Sequence, residues 1–105
     1  MNESASKENK PQTATRLSGE RINELKARLG REWEVLEEHH LQKTFLFKNF
    51  RQALEFTNRI GEIAEAANHH PDIFLTWGKV RVTIYTHSVD GLTEKDFALA
   101  ERIEG

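Results

Sequence analysis

The sequence predicts an α+β fold of order α-β-β-α-β-β-α, a four-stranded antiparallel sheet with its helices packed on one face. Three observations carry this reading. Residues 50–67 place Phe50, Ala53, Leu54, Thr57, Ile60 and Ala64 at helical spacing on one face. Residues 80–85 alternate Val80, Val82 and Ile84 with Arg81, Thr83 and Tyr85, the pattern of a half-buried strand. Extended segments come in pairs on either side of the long helix, which favours hairpins and an antiparallel sheet.

Each element has its own local signals. Residues 1–16 are dominated by Ser, Asn, Gln, Lys and Thr. They cannot bury enough apolar surface to offset their ordering entropy, so they predict a disordered tail before a single domain over 17–105. The first helix spans about Gly19 to Leu29. Ser18 stands at its N-cap, Leu17 and Ile22 form a hydrophobic staple, Ile22, Leu25 and Leu29 make a narrow stripe, and Gly30 stops it. Trp33 and Val35 alternate in a strand over Glu32–Glu38, and Leu41, Phe45 and Phe47 share a face in a second over Leu41–Phe47. Lys43 lies on that face, where its stem can pack while its head reaches solvent. His39 and His40 fall in the connection and read as solvated turn residues.

Asn49 caps the long helix, with Gln52 completing an imperfect capping box. Phe56, Ile63 and Ala67 widen the apolar arc of this helix around Ile60. A helix apolar on more than one side is buried on more than one side, and in so small a chain the second surface predicts another subunit. Ile73 to Trp77 is extended, Gly78-Lys79 supplies a tight turn, and Asp90-Gly91 a second. His87 continues the outward set of the strand before it. Thr93 caps the last helix, with Asp96 at the capping-box position, Leu92 and Phe97 as the staple, and Phe97, Ala100 and Ile103 facing inward.

Composition narrows the function. With 37% hydrophobic and 30% charged residues, the 105-residue chain has an ordinary globular balance. A formal charge of −2 argues against a nucleic-acid footprint, and the element order is wrong for an RNA-stacking sheet. There is no cysteine, hence no disulfide framework and no thiolate site. No apolar run approaches the ~20 residues of a membrane span, and the N-terminus has no signal-peptide core, so the expected location is cytoplasmic.

The chemistry concentrates in Asn68-His69-His70-Pro71-Asp72 and in His87. Three imidazoles gathered by a helix end and a hairpin can serve proton transfer or a metal. For a metal, Glu65 or Asp72 would add a hard ligand. Adjacent residues of an extended chain point to opposite sides, so His69 and His70 chelate one ion poorly. Glu65 lies four residues before His69, so a continuing helix puts the pair on one face. A carboxylate there orients an imidazole, and opposed charges can leave histidines poised near neutrality for general acid–base work. No serine stands in a nucleophile elbow.

Glu65-Ala66-Ala67-Asn68-His69-His70-Pro71, Trp77, Thr86-His87 and Gly91-Leu92-Thr93-Glu94-Lys95-Asp96 together resemble the pterin-4a-carbinolamine dehydratase family. Leu17-Ser18, Trp33 and Lys43 to Phe50 extend the similarity, which covers about Leu17 to Ile103. The resemblance implies loss of water from 4a-hydroxytetrahydropterin to give quinonoid dihydropterin, in recycling of the pterin used by an aromatic amino acid hydroxylase. It implies no cofactor and no metal. It assigns the active site to His69, His70 and His87, support to Glu65, the pterin site to Asn68, Tyr85 and Thr86, and a nearby place to Trp33. A homodimer or homotetramer follows from the same likeness. Many animal members carry Asp where Asn68 stands; asparagine keeps hydrogen bonding but lacks a charge that would favour a protonated histidine. Animal members also act as a dimerisation cofactor, so a non-enzymatic pterin-binding or protein-interaction module is the alternative.

Overall fold

The computed structural model describes residues 15–30 and 32–105. Its elements are α1 (Gly19–Leu29), β1 (Glu34–Leu36), β2 (His40–Leu46), α2 (Phe50–Ala67), β3 (Asp72–Thr76), β4 (Lys79–Ile84), a 3-10 turn (His87–Val89) and α3 (Glu94–Glu104). The four strands form one antiparallel sheet in the order β1-β2-β4-β3. The expected order of elements is therefore the observed one.

The core lies between the helices and one face of the sheet. Val80, Val82 and Ile84 of β4 are fully buried there, as are Leu41 of β2 and Ile60 of α2. Ile22, Leu25 and Leu29 of α1, with Phe97, Leu99, Ala100 and Ile103 of α3, complete it. Central β4 alternates so cleanly because helices cover its inner face only. The predicted tail falls mostly on residues 1–14, outside the described residues. Arg16, at its end, lies against Gly91, and the Leu17 N–H donates to the Leu92 carbonyl at 2.8 Å.

The first hairpin departs from the sequence reading. β1 is only three residues long, because Glu37 and Glu38 sit at φ 57° and 53° as the central residues of a turn within the three-residue connection 37–39. The His39 N–H closes that turn onto the Leu36 carbonyl at 2.9 Å. Positive φ at both central positions is what such hairpin turns require, although Glu is an unusual residue to supply it. His40 consequently opens β2, paired with Leu36, and the two histidines are half-buried rather than solvated. The other hairpin turn is Trp77-Gly78, one residue earlier than expected, with Lys79 already in β4.

Caps hold the helices as anticipated, with local differences. The Asn49 side chain accepts from the Gln52 N–H at 2.9 Å, while Gln52 Oε1 reaches the Lys48 N–H instead of the cap residue's own. Ser18 occupies the N-cap of α1 without a side-chain cap bond. Thr93 and Asp96 form a complete capping box on α3. The wide apolar arc of α2 is partly covered by its own sheet. Phe56 packs on Phe45 and Phe47 at ring separations of 4.6 and 5.1 Å, and Ile63 and Ala67 border the core. The exposed large apolar side chains are Leu46, Phe50, Leu54, Phe74 and Trp77.

Lys43 does not extend to solvent. Its ammonium meets Glu104 Oε2 at 2.5 Å, and the same oxygen accepts from Trp33 Nε1 at 2.9 Å. Both Lys43 and Glu104 side chains are 12% exposed. The last turn of α3 is thereby fastened to β2 and to the segment before β1. Glu104→Ala leaves an ammonium and an indole N–H poorly solvated, each a loss of order 1–3 kcal/mol. Urea unfolding should show Glu104→Ala destabilised by at least about 2 kcal/mol, with an unchanged m-value.

Candidate active site

The site is created by how α2 ends. Asn68 takes a left-handed conformation, φ 53° and ψ 42°, and its N–H returns to the carbonyls of Ala64 and Glu65. Asparagine is among the few residues that adopt this conformation readily. The reversal stops the helix, so the expected i,i+4 pairing of Glu65 with His69 does not form. Glu65 Oε2 instead meets His70 Nε2 at 2.5 Å, and His69 Nε2 meets Asp96 Oδ1 at 2.5 Å. The two imidazoles take separate carboxylates. Among the described residues no group of three or more His, Cys, Asp or Glu side chains is placed to hold a metal ion.

Asp96 is fully buried and the His69 side chain is 14% exposed, whereas His70 and Glu65 are 56% and 78% exposed. The Asp96 carboxylate is satisfied by converging donors. Its Oδ2 accepts from the Thr86 hydroxyl and from the Thr93 N–H, both at 2.8 Å. Thr86 has one hydroxyl proton, which goes to Asp96; the 2.8 Å contact between Thr86 and Thr93 Oγ1 is then made by the Thr93 proton. The Thr93 oxygen in turn accepts from the Lys95 N–H at 3.2 Å. A carboxylate held this way fixes the ring of His69 with Nε2–H toward Asp96 and leaves Nδ1 as the nitrogen free to exchange a proton. The same accounting assigns Nε2–H to His70.

His87 arrives from the other side. Thr86 and Gly91 bridge the chain with reciprocal backbone bonds at 2.9 and 3.3 Å, and His87 begins the turn between them. Its ring lies 4.5 Å from that of Tyr85. A cleft of about 260 Å³ is lined by Asn68, His69, His70, Tyr85, Thr86, His87, Ser88 and Lys95. Six of the eight residues expected at the site thus meet in one place. Glu65 stands behind His70. Trp33 lies elsewhere, 1% exposed in the core with its indole N–H on Glu104.

A larger open groove of about 800 Å³ runs between α2 and β3. It shares His70 with the cleft, has Glu65 on its own wall, and contains neither of the other two histidines.

The sequence reading gives Asp96 a capping role and a place in the motif, takes His39 as a solvated turn residue and Asp90 as a turn signal, quotes Lys95 only within the motif, and does not consider Ser88. The capping-box position of Asp96 was a usable signal, since it places a carboxylate in the first turn of a helix beside Thr93. Nothing in the sequence signalled His39. Its ring packs 4.5 Å from Tyr85, its Nε2 meets Asp90 Oδ1 at 2.8 Å, and its Nδ1 lies 3.1 Å from His40 Nδ1. The hydrogen bond from His39, reinforced by its charge, holds the Asp90 carboxyl below the usual carboxylate range.

Comparison with known proteins gives concordant results. The sequence profile described as pterin 4 alpha carbinolamine dehydratase matches residues 15–105. A protein of Rubrobacter xylanophilus, provisionally named a pterin-4-alpha-carbinolamine dehydratase, is 51% identical over 88 residues, covering 84% of this chain and 81% of its own. One from Alkaliphilus metalliredigens with the same provisional name is 48% identical, covering 84% and 79%. The crystal structure of a transcriptional coactivator/pterin dehydratase from Brucella melitensis superposes with a TM-score of 0.78 at 32% identity, over 86% of this chain and 96% of that one. A pterin dehydratase-like protein identified as a RuBisCO assembly factor in the alpha-carboxysome shares the fold, with a TM-score of 0.61 at 22% identity over 72% of this chain and 89% of its own.

The Asp90 geometry carries a pH expectation. A carboxyl with a depressed folded-state pKa adds stability at neutral pH that is lost as pH falls through that value. NMR titration should find the Asp90 midpoint below that of an unperturbed Asp. His39→Gln, which removes the imidazolium charge, should move it upward.

Proposed function

The chain belongs to the pterin 4 alpha carbinolamine dehydratase family, and on that premise we propose that it removes water from a 4a-hydroxytetrahydropterin to give the quinonoid dihydropterin. The observation that carries the reading is the gathering of His69, His70 and His87 on one small cleft, with His69 locked by a buried carboxylate. A volume of about 260 Å³ lies just under the ~300–1,000 Å³ of common small-molecule sites and suits a fused bicyclic ring.

Dehydration needs two proton transfers. An imidazolium protonates the C4a hydroxyl, the C4a–O bond breaks, and water leaves. A neutral imidazole takes the proton from the adjacent ring nitrogen, whose electron pair forms the new C=N bond. One histidine loses a proton and another gains one, so exchange with solvent resets the site. Neither a redox step nor a Lewis acid enters this balance, and the reading uses no cofactor or metal. Tyr85, Thr86 and Asn68 line the cleft and supply the walls and polar edges for the pterin. The physiological setting in this reading is recycling of tetrahydropterin for an aromatic amino acid hydroxylase.

Self-association belongs to the same proposal. Phe50 and Leu54 on α2 and Phe74 on edge strand β3 are exposed apolar side chains of the kind a homodimer or homotetramer would cover. Light scattering on Leu54→Asp should show a smaller species than the parent protein.

Stopped-flow dehydration of chemically generated carbinolamine tests the activity. Alanine at His69, His70 or His87 should lower the enzymatic rate, within the ~10²–10⁴-fold range of general acid–base catalysis, and the losses should not add independently. Asp96→Asn should remain folded yet lose about 10²-fold or more, because an amide donor facing His69 favours the wrong tautomer. Glu65→Gln should be milder, since that pair is open to solvent. A folded triple alanine variant with full activity would leave the non-enzymatic reading.

A further inference from the structure

We propose that His39 is a positioning residue for the cleft, one that holds the His87 turn in register through Tyr85 and Asp90. This inference rests on the dehydratase reading of the site. His87 is exposed and sits on a turn of three residues, a weak platform for a proton-transfer group. The backbone bridge between Thr86 and Gly91 fixes where the turn begins and ends, but not the ring between them. Misplacing a reacting group by ~1 Å can cost ~10²-fold in rate, so something must steady this side chain if it takes part.

The contacts of His39 converge on that turn from both sides. Two residues before His87, the Tyr85 ring lies 4.5 Å from the His39 ring and 4.5 Å from the His87 ring, and so is packed against both. Three residues after His87, Asp90 accepts a hydrogen bond from His39 Nε2 at 2.8 Å, while its own N–H closes onto the His87 carbonyl at 3.1 Å. Asp90 is a left-handed residue at φ 51° that ends the turn, so its side-chain bond also pins the turn's exit.

His39 is itself anchored. Its N–H is bonded to Leu36 in the β1–β2 turn, and its Nδ1 lies 3.1 Å from that of His40, which is paired into β2. When His39 is neutral, with its Nε2 proton toward Asp90, its Nδ1 holds a lone pair that a neutral His40 can meet with its Nδ1–H. The sheet thus reaches the exposed turn through one imidazole. The carboxylate end of the pair is solvent-exposed, 85% for Asp90 against 25% for His39, so loss of the ion pair should cost little global stability. Its effect belongs in turnover.

Three substitutions in the full chain separate the contacts. His39→Ala removes both. His39→Gln restores a donor toward Asp90 without the ring, and His39→Phe restores the ring without the donor. In the stopped-flow dehydration assay His39→Ala should lower kcat about ten-fold with a smaller change in KM, and each of the other two should recover part of the loss. The same His39→Ala change made in a His87→Ala background should cause no further loss, because it acts through His87. Full activity of His39→Ala overturns the proposal, as does an equal loss in both backgrounds. If the parent protein shows no dehydration, the proposed function fails. The His87 ring resonances in NMR then decide the positioning claim: a shift in all three variants, largest in His39→Ala, supports it, and unchanged resonances overturn it.

Discussion

The buried carboxylate of Asp96 is the interaction on which the rest depends. A fully desolvated carboxylate is tolerable only with converging donors, and three separate segments supply them: His69 from beyond the end of α2, Thr86 from beyond the end of β4, and the Thr93 N–H at the start of α3. One oxygen pair therefore closes a helix N-terminus, joins both layers, and orients an imidazole. Chemistry and fold share this group.

The same kind of pair recurs in different surroundings. Asp96–His69 is buried, while Glu65–His70 and Asp90–His39 are open to water. Burial strengthens an ionic hydrogen bond and removes competing solvent geometries; exposure leaves a contact that breaks and re-forms easily. A fixed imidazole beside an adjustable one suits a reaction in which one proton is delivered and another collected.

Much of the fold was legible because period and caps agree. Ala53, Ile60 and Ala64 at helical spacing, Val80, Val82 and Ile84 in strict alternation, and the Thr93–Asp96 box each point to one local structure, and each forms it. The first hairpin was not legible, because Glu37-Glu38 carries no turn residue; tertiary pairing of β1 with β2 imposes the positive φ values instead. The site was readable as a set of residues but not as a set of partners. A single left-handed residue, Asn68, redirects the chain, exchanging the expected Glu65–His69 pair for Glu65–His70 and His69–Asp96. Lys43 and Trp33 were misplaced for a related reason, since their common partner Glu104 lies 61 and 71 residues away in sequence and no local pattern reveals it.

The placement of the two tryptophans has an optical consequence. Trp33 is sealed between the core and Glu104, whereas Trp77 is 70% exposed at the tip of the β3–β4 hairpin. The buried indole emits at short wavelength and is shielded from iodide; the exposed one emits at long wavelength and is quenched. Undocking of the end of α3 changes the first signal, and anything that covers the hairpin tip changes the second. The chain thus carries two built-in fluorophores that report unfolding and surface occupancy in separate bands, with no label attached.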